Sequence, residues 1–220
     1  ERDGVVDSDF LKRAFNKLLL NFGWWVNRKD SAGRNLFGGG FLGLDNIGVF
    51  DRSMPLPAGV ELEQADGTAW MAMFSTSMLA MAFELAETDP AYDDLALKFL
   101  DHFAAISASL NGLGGTGMWH EQDGFYYDQL RSGERTLPLC VRSLVGMLPL
   151  ISCAVFDEQA HPFSDDLRQR LLWVKEHQPE VTSRLQARDV TFADGRTGKR
   201  WLLALPPRDL GKLPVISGTD

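Results

Sequence analysis

The sequence is poor in cysteine, histidine and positive charge. Its two cysteines, Cys140 and Cys153, have no C-x-x-C spacing, which excludes a disulfide scaffold. We expect both to be buried, reduced thiols, because their neighbours in the sequence are apolar. The four histidines lack the spacing of zinc ligands, so the sequence predicts no metal site and no cofactor.

Positive charge is outnumbered by negative charge. The chain has 22 Lys and Arg against 30 Asp and Glu, a formal net charge of −8. An acidic surface repels phosphate groups and anionic lipids, so we expect neither nucleic acid nor a membrane among the partners. No stretch approaches about 18 uncharged apolar residues, and residues 1–4 lack the start of a signal peptide. These features favour a cytoplasmic protein, and the non-Met start indicates a piece of a longer chain.

The main pattern in the sequence is the recurrence of apolar residues at helical spacing. They predict helices over 8–25, 66–86, 92–110, 143–156 and 164–177. Ser8 and Asp66 are the expected N-caps of the first two, and Pro149 should bend the fourth. Residues 180–187 could add a helical turn, while 118–140 and 190–205 are typical of hairpins. Buried helices alternating with amphipathic ones indicate an all-α fold with two concentric helix layers.

Three segments place carboxylates among aromatic residues and glycines. They are 43–52, 63–70 and 119–128, and the first lies in a glycine-rich stretch, 27–63, of the length typical of functional loops. Sugar rings stack on aromatic faces, and sugar hydroxyls bond to Asp, Glu, Gln and Arg, so this composition favours a carbohydrate site. The alternative is structural: Asp66 would be an N-cap, Asp123 part of a turn, and the aromatics core residues.

Four ordered motifs carry a resemblance to a known family. They are GGFLGLDNIGVFDRS (39–53), LEQADGTAWMA (62–72), W-x-E-x-DGFYYD (119–128) and VRSLVG (141–146). Together they resemble the C-terminal catalytic region of bacterial proteins related to glycoside hydrolase family 63, which includes processing α-glucosidase and mannosylglycerate-hydrolase-like enzymes. The resemblance is strongest over 10–156. It implies an (α/α)6 barrel, with residues 1–220 forming one partial domain that holds about half of the helices, and inverting hydrolysis of an α-glycosidic bond.

The resemblance also implies roles for individual residues. Asp45, in G-L-D-N-I-G, matches the general acid, and Asp51 in the same loop is its competitor. The expected substrate-binding residues are Phe41, Asn46, Asp51, Arg52, Gln64, Asp66, Trp70, Trp119, Glu121, Asp123 and Tyr126. No counterpart of the general base is found in this chain. The expected partners are therefore a carbohydrate substrate and the missing remainder of the same domain.

An incomplete barrel has a physical consequence. It should expose one flank of its inner helices, residues 69–86 among them, as an apolar patch. Two other functions stay open at this point. The chain could be a non-catalytic helical module that binds a carbohydrate or a partner protein, or a purely structural helical domain.

Overall fold

The computed structural model describes residues 7–31, 33–38, 46–48, 51–112, 117–157, 164–177, 185–191, 195 and 197–204. These ranges contain helices and antiparallel strands in chain order. The elements are α1 (Ser8–Val26), β1 (Val60–Glu63), α2 (Ala65–Ala86), α3 (Ala91–Leu110), β2 (Trp119–His120), β3 (Phe125–Tyr126), β4 (Asp128–Ser132), β5 (Arg135–Leu139), a 3₁₀-helix (Leu144–Ile151), β6 (Cys153–Asp157), α4 (Asp165–His177), β7 (Leu185–Thr191) and β8 (Thr197–Ala204).

The expectation of an all-α fold, part of an (α/α)6 barrel, is wrong. Four α-helices are accompanied by eight strands within the described ranges, so the architecture is mixed. The strands form three antiparallel sheets with the orders β1-β4-β5, β2-β3 and β6-β8-β7. In such sheets, backbone groups pair between distant segments, which helical periodicity in one segment does not reveal.

The largest local error concerns residues 143–156, which were expected to form one apolar helix. Pro149 has no N–H to donate, and the segment forms only the short 3₁₀-helix before it ends at Ile151. The next residues then pair as β6 with β8, Phe156 lying opposite Trp201. The helical turn expected at 180–187 is wrong for its described part, because Leu185 begins β7; residues 180–184 lie outside the described residues.

The helical core agrees with the sequence. Helices α2 and α3 lie within one residue of their expected ends, and they pack closely along their lengths. Helix α1 adds the rings of Phe15 and Phe22, which meet Phe99 edge-on at centroid distances of 5.9 and 5.0 Å. Edge-to-face packing of this kind stabilises aromatic pairs beyond their buried area.

Helix α2 is buried on almost every side, so the expected exposed flank at 69–86 is wrong. Among the described residues, α2 alone is long and apolar enough to cross a membrane by length and composition. More than half of that window is buried inside the protein, as in a core helix. The large exposed apolar side chains lie elsewhere, for example Leu20 on α1 and Leu137 on β5.

The hairpin expectations are confirmed. Strands β4 and β5 pair across the turn at Gly133, and β7 pairs with β8 around Gly195. Both glycines have positive φ, +59° and +83°, a conformation that residues with a Cβ rarely adopt.

Three smaller expectations are corrected. The N-cap of α1 is Asp7, whose side chain accepts the Phe10 N–H at 2.9 Å, rather than Ser8. The N-cap of α2 is Gln64, so Asp66 lies inside the first turn. Cys140 and Cys153 are free thiols but are exposed, not buried.

Candidate functional site

Residues from three of the four family-like motifs surround one pocket. Its empty volume is about 340 Å³, including the open mouth. The lining residues are Ile47, Gly48, Arg52, Tyr126, Asp128, Leu139, Val141, Val145 and Gly146. Ile47, Gly48 and Arg52 lie far in the sequence from the lining residues at 126–146, so the fold alone brings the two groups together.

The approach of the fourth motif to the third depends on a glycine. Gly146 lies in the first turn of the 3₁₀-helix, against strand β3. A Cβ at this position would overlap the Tyr126 carbonyl oxygen and the Phe125 ring. The absence of a side chain therefore lets this wall of the pocket close directly onto β3.

One guanidinium at the pocket wall holds two carboxylates. Arg52 Nη1 donates to Asp66 Oδ2 at 3.0 Å, and its second terminal nitrogen donates to Asp66 Oδ1. Arg52 Nε forms an ion pair with Asp128 Oδ2 at 2.8 Å. The three side chains are 2, 0 and 6% exposed, respectively. We call this group the pocket triad.

Both carboxylates of the pocket triad are fixed to the backbone at the start of α2. Asp128 Oδ1 accepts the Ala65 N–H at 2.8 Å, and Asp66 Oδ1 accepts the Gly67 N–H at 2.8 Å. The first N–H groups of a helix have no acceptor within the helix and favour negative charge nearby. Asp128 lies at the first position of β4, so it links that sheet to the α2 terminus.

Burial changes the chemistry of Asp128. Removal from water raises the pKa of this carboxyl to about 6, while Arg52 and the Ala65 N–H oppose that rise. Desolvation disfavours the charged form, and an adjacent cation favours it, so the two effects act against each other here.

A second polar group lies on the other side of the β2–β3 hairpin. Tyr127 donates its hydroxyl to Asp123 Oδ2 at 2.8 Å, and Arg142 Nη2 donates to Asp123 Oδ1 at 2.9 Å. The hydrogen bond from the Tyr127 hydroxyl is the main cause that lowers the pKa of Asp123; desolvation opposes it, and the hydrogen bond and charge of Arg142 lower the pKa further. His120 Nδ1 accepts the Asp123 N–H at 3.3 Å. This carboxylate is therefore a fixed acceptor rather than an acid.

The expected aromatic residues of this motif are also fixed. Trp119 meets Tyr126 edge-on at 4.9 Å and donates its indole N–H to Glu121 Oε2 at 2.8 Å. Tyr126 donates its hydroxyl to Asn111 Oδ1 at 2.6 Å. Trp119, Glu121 and Tyr126 thus form one connected group beside the pocket, whereas Asp123 belongs to the polar group on the other side of the hairpin.

Three further expected substrate-binding residues, Gln64, Trp70 and Asp51, differ in their hydrogen bonding. Gln64 is buried and Trp70 partly buried, and the Gln64 side-chain oxygen and the Trp70 indole nitrogen have no hydrogen-bond partner among the described residues. Asp51 accepts the Ser53 hydroxyl at 2.6 Å and the Ser53 N–H at 2.9 Å, and these bonds lower the pKa of Asp51.

Asp45 and Phe41 lie outside the described residues. Asn46, which follows Asp45 in the sequence, is exposed, and Ile47 and Gly48 line the pocket. The role of Asp45 stays a prediction.

Sequence reasoning missed three side chains that organise the site: Asp128, Tyr127 and Arg142. Asp128 and Tyr127 belong to the quoted motif DGFYYD, and Arg142 to VRSLVG. The quoted motifs therefore contained all three residues. The bonds these residues form depend on β4 and the 3₁₀-helix packing against the start of α2 and the β2–β3 hairpin, which no local pattern reveals.

A second buried ion-pair cluster lies at the other side of the β1–α2 junction. Glu63 Oε1 accepts from Arg131 Nε at 2.8 Å and from a terminal nitrogen of Arg34. Arg34 Nε also donates to Asp30 Oδ2 at 3.1 Å. We call Arg34, Glu63 and Arg131 the Glu63 cluster. None of the three is among the residues that line the pocket.

Comparison with known proteins gives one curated relative. The yeast protein YMR196W, described as an uncharacterized protein of Saccharomyces cerevisiae, is 44% identical over 216 residues, which cover 92% of this chain and 20% of that protein. The chain thus spans about one fifth of the length of this relative. No family model matches the chain, and no solved structure matches it. The relative's description names no activity.

Proposed function

We propose that this chain is part of an inverting α-glycoside hydrolase and supplies the general-acid side of its site. The observation that carries the proposal is the convergence of three of the family-like motifs on one pocket, two of which bear carboxylates and aromatic residues. Ile47, Gly48 and Arg52 lie far before Tyr126 and Asp128 in the sequence, and the β4–β5 hairpin joins Asp128 to Leu139, yet all of them line the pocket. Sites for small molecules combine an apolar lining with a few fixed polar groups in this way.

The described carboxylates differ in how well they could serve as the acid. Asp51 is held ionised by Ser53, which weighs against it, because an acid must be protonated near neutral pH. Asp128 has a raised pKa, but both of its oxygens are engaged by Arg52 and Ala65. Asp45, at the start of the loop that reaches the pocket, therefore remains the proposed acid.

The surface beside the pocket supports the binding of a sugar. Trp119 presents a partly exposed ring held by Glu121, and Asp123 is a fixed, ionised acceptor for hydroxyl groups. Apolar faces of pyranose rings stack on such rings, and hydroxyls donate to such carboxylates.

The proposed reaction needs two carboxyl groups. Asp45 donates its proton to the glycosidic oxygen as the bond from the anomeric carbon to that oxygen breaks. A water molecule, losing its proton to a carboxylate base, attacks the anomeric carbon from the opposite face, so the product has inverted configuration. We expect this base outside the 220 residues.

The test uses the full-length gene product that contains this chain. Purified protein is incubated with a panel of α-linked disaccharides, and the anomeric form of the released sugar is followed by NMR during the first minutes. We expect β-configured product from the wild type. Asp45→Asn should lower the turnover about 10²–10⁴-fold, while Asp51→Asn, the matched control, stays within a few-fold of the wild type. Loss of turnover in Asp51→Asn but not in Asp45→Asn would reverse the assignment of the acid.

Non-catalytic carbohydrate binding is the second candidate. It is favoured by the saturation of Asp66 and Arg52, which bind each other and leave fewer groups for chemistry. Calorimetric titration that shows sugar binding by a wild type without turnover of any linkage would support this function over hydrolysis.

A further inference from the structure

The side of α1 that faces away from the core carries large apolar side chains. Phe10, Leu20 and Trp24 are 62, 78 and 51% exposed, respectively. Phe15 and Phe22, on the other side of the same helix, are fully buried. Single apolar side chains are common on protein surfaces, but three on one side of one helix are typical of a surface that binds another element.

These three residues belong to a row with regular spacing. Positions 10, 13, 17, 20 and 24 follow one another in alternating steps of three and four residues, which keeps them on one side of a helix. Arg13 and Lys17 occupy the two positions between Phe10 and Leu20, and both are exposed. We call Phe10, Arg13, Lys17, Leu20 and Trp24 the outer stripe of α1. Two helices that pack along each other make contact through residues with this spacing.

The outer stripe is positively charged on a protein of net negative charge. Helix α1 contains one acidic residue, Asp9, in its first turn. Neither Arg13 nor Lys17 forms an ion pair with any residue in the described part of the chain. The chain as a whole has a formal net charge of −8. Exposed cations between apolar side chains are complementary to a surface that combines carboxylates with apolar residues.

Trp24 is held in place within the outer stripe. The guanidinium carbon of Arg28 lies 3.8 Å from the centre of the Trp24 ring, and the Trp25 ring meets Trp24 edge-on at 4.6 Å. A ring fixed in this way loses little side-chain freedom when a partner binds, so Trp24 is suited to anchor one. Arg28 also extends the positive charge of the outer stripe beyond the end of α1.

We propose that the outer stripe binds an acidic amphipathic helix from the part of the longer polypeptide that lies outside residues 1–220. Apolar side chains of this helix pack against Phe10, Leu20 and Trp24, and its carboxylates pair with Arg13 and Lys17. This chain covers 20% of the relative YMR196W, so most of that protein lies outside the match and has the length to supply such a helix.

Two other occupants fit the outer stripe less well. A second copy that packed its own outer stripe against this one would place Arg13 and Lys17 opposite like charges. A membrane would have to bury three apolar side chains spread over about 21 Å of helix with cations between them, and an anionic bilayer would repel the net charge of −8. The inference does not depend on glycoside hydrolysis, because the outer stripe shares no residue with the pocket lining.

The first test measures the acetylation of lysines in the full-length gene product by a water-soluble N-hydroxysuccinimide ester, followed by peptide mass spectrometry. Lys17 on the outer stripe and Lys98 on α3 are both exposed within this chain. Docking of the helix should slow the acetylation of Lys17 about tenfold relative to Lys98, with each rate divided by its value in urea. Equal ratios for the two lysines overturn the proposal.

Substitutions of Arg13 test the acidic character of the partner. Arg13→Glu places a negative charge against the acidic helix and should bring the acetylation of Lys17 to within about twofold of that of Lys98. Arg13→Lys, the matched control, should keep Lys17 protected. Arg13 is exposed, so we expect both variants to fold, and an unchanged Lys98 ratio checks this. Protection of Lys17 that persists in Arg13→Glu overturns the acidic chemistry assigned to the partner.

A carbodiimide, which joins a lysine to a carboxylate in contact with it, identifies the source of the helix in the purified protein. We expect an amide bond between Lys17 and an Asp or Glu outside residues 1–220, in a product with the mass of one polypeptide. A product of doubled mass assigns the outer stripe to a second copy, and protection that requires added phosphatidylserine vesicles assigns it to a membrane. Either result, or protection of Lys17 without any such crosslink, overturns the proposal.

Discussion

The two buried ion-pair clusters beside the β1–α2 junction are arranged in opposite ways, although Asp30, which also binds Arg34, balances the charge around the Glu63 cluster. In the pocket triad, one guanidinium lies between two carboxylates, whereas in the Glu63 cluster one carboxylate lies between two guanidiniums. The arginines of the Glu63 cluster are 23 and 20% exposed, and only Glu63 is deeply buried, at 2%. No member of the pocket triad reaches water to that extent.

The difference in exposure indicates which cluster is destabilised less when one partner is removed. Arg34 and Arg131 are each about a fifth exposed, although Arg34 Nη1 and Arg131 Nη2 are buried without a hydrogen-bond partner. When their carboxylate is removed, such side chains can turn the charged head toward water while the stem stays buried. A guanidinium enclosed like that of Arg52 has no such route, and a buried charge without a partner is expensive. Loss of one partner should therefore destabilise the protein more in the pocket triad than in the Glu63 cluster. This difference holds although Glu63 and Asp66 lie within four residues of each other in the sequence.

The largest expected effect is the loss of Asp66. Asp66→Asn removes the bidentate partner of a fully buried arginine and should lower the free energy of unfolding by about 3–5 kcal/mol. Glu63→Gln, the matched change in the other cluster, should cost about 1–3 kcal/mol, since Arg34 and Arg131 can turn to water. Urea unfolding followed by circular dichroism measures both. If Glu63→Gln costs as much as Asp66→Asn or more, exposure of the arginines is not what separates the clusters.

The second prediction uses the raised pKa of Asp128, about 6 in the folded protein against its ordinary value of 3.8. The folded state then binds more protons than the unfolded state between these values. Stability is accordingly greatest below about pH 4 with respect to this group and falls as the pH rises to about 6, by on the order of 3 kcal/mol. Asp128→Asn should remove this contribution.

The measurement is the difference in unfolding free energy between wild type and Asp128→Asn at several pH values from about 4 to 7. Taking the difference cancels the other titrating groups, Glu63 included. A difference that does not change with pH would mean that Arg52 keeps Asp128 ionised throughout this range, unlike Glu63, whose pKa is also raised by burial.

The third prediction concerns the packing that surrounds the pocket triad. Gly146→Ala places a Cβ against the Tyr126 carbonyl and the Phe125 ring, so the 3₁₀-helix must move away from β3, at about 1–3 kcal/mol. Gly23→Ala is the control, because nothing lies near its Cβ and the residue is inside α1. It should stabilise the protein by about 0.5–1 kcal/mol. Equal melting temperatures for the two variants would show that this wall of the pocket is loosely packed.

The sequence was sufficient for elements whose signal is local. Helices α2 and α3 carry their apolar residues within one continuous segment, and the turn glycines Gly133 and Gly195 mark their hairpins directly. The fold class was missed because it depends on pairing between distant segments. In the apolar run 144–156, periodicity alone does not distinguish a buried helix from a 3₁₀-helix followed by a strand, and Pro149, expected only to bend the helix, lies where the helix ends.

The candidate site shows the same limit. Three of the four motifs lie in segments that line one pocket, whereas residues 62–72 do not line it. They did not reveal that Arg52 and Asp66 bind each other, because this contact requires the loop to fold back onto the start of α2. A charged residue in a functional motif can serve the ligand or the scaffold, and only its partners distinguish the two.

The smallest expected effect concerns a partly buried histidine. It lies beside cations, whereas the titratable carboxylates of the two clusters are paired with arginines. His102 on α3 packs edge-on against Phe22 of α1, with ring centroids 5.1 Å apart. Burial lowers the pKa of His102, Lys98 and Lys29 lower it further, and Asp101 opposes them. The unfolded chain therefore binds more protons than the folded one below the ordinary histidine pKa of 6.5, so stability should fall as the pH drops through that value. Because the ring is only about half buried, the effect should be smaller than that of Asp128.

Urea midpoints at about pH 7.5 and about pH 5.5 should differ less in His102→Gln than in the wild type. His177→Gln, at an exposed position of α4, should keep the wild-type difference. A wild-type difference that survives in His102→Gln would assign the acid sensitivity to another group and leave the carboxylate clusters as the main titrating sites of the core.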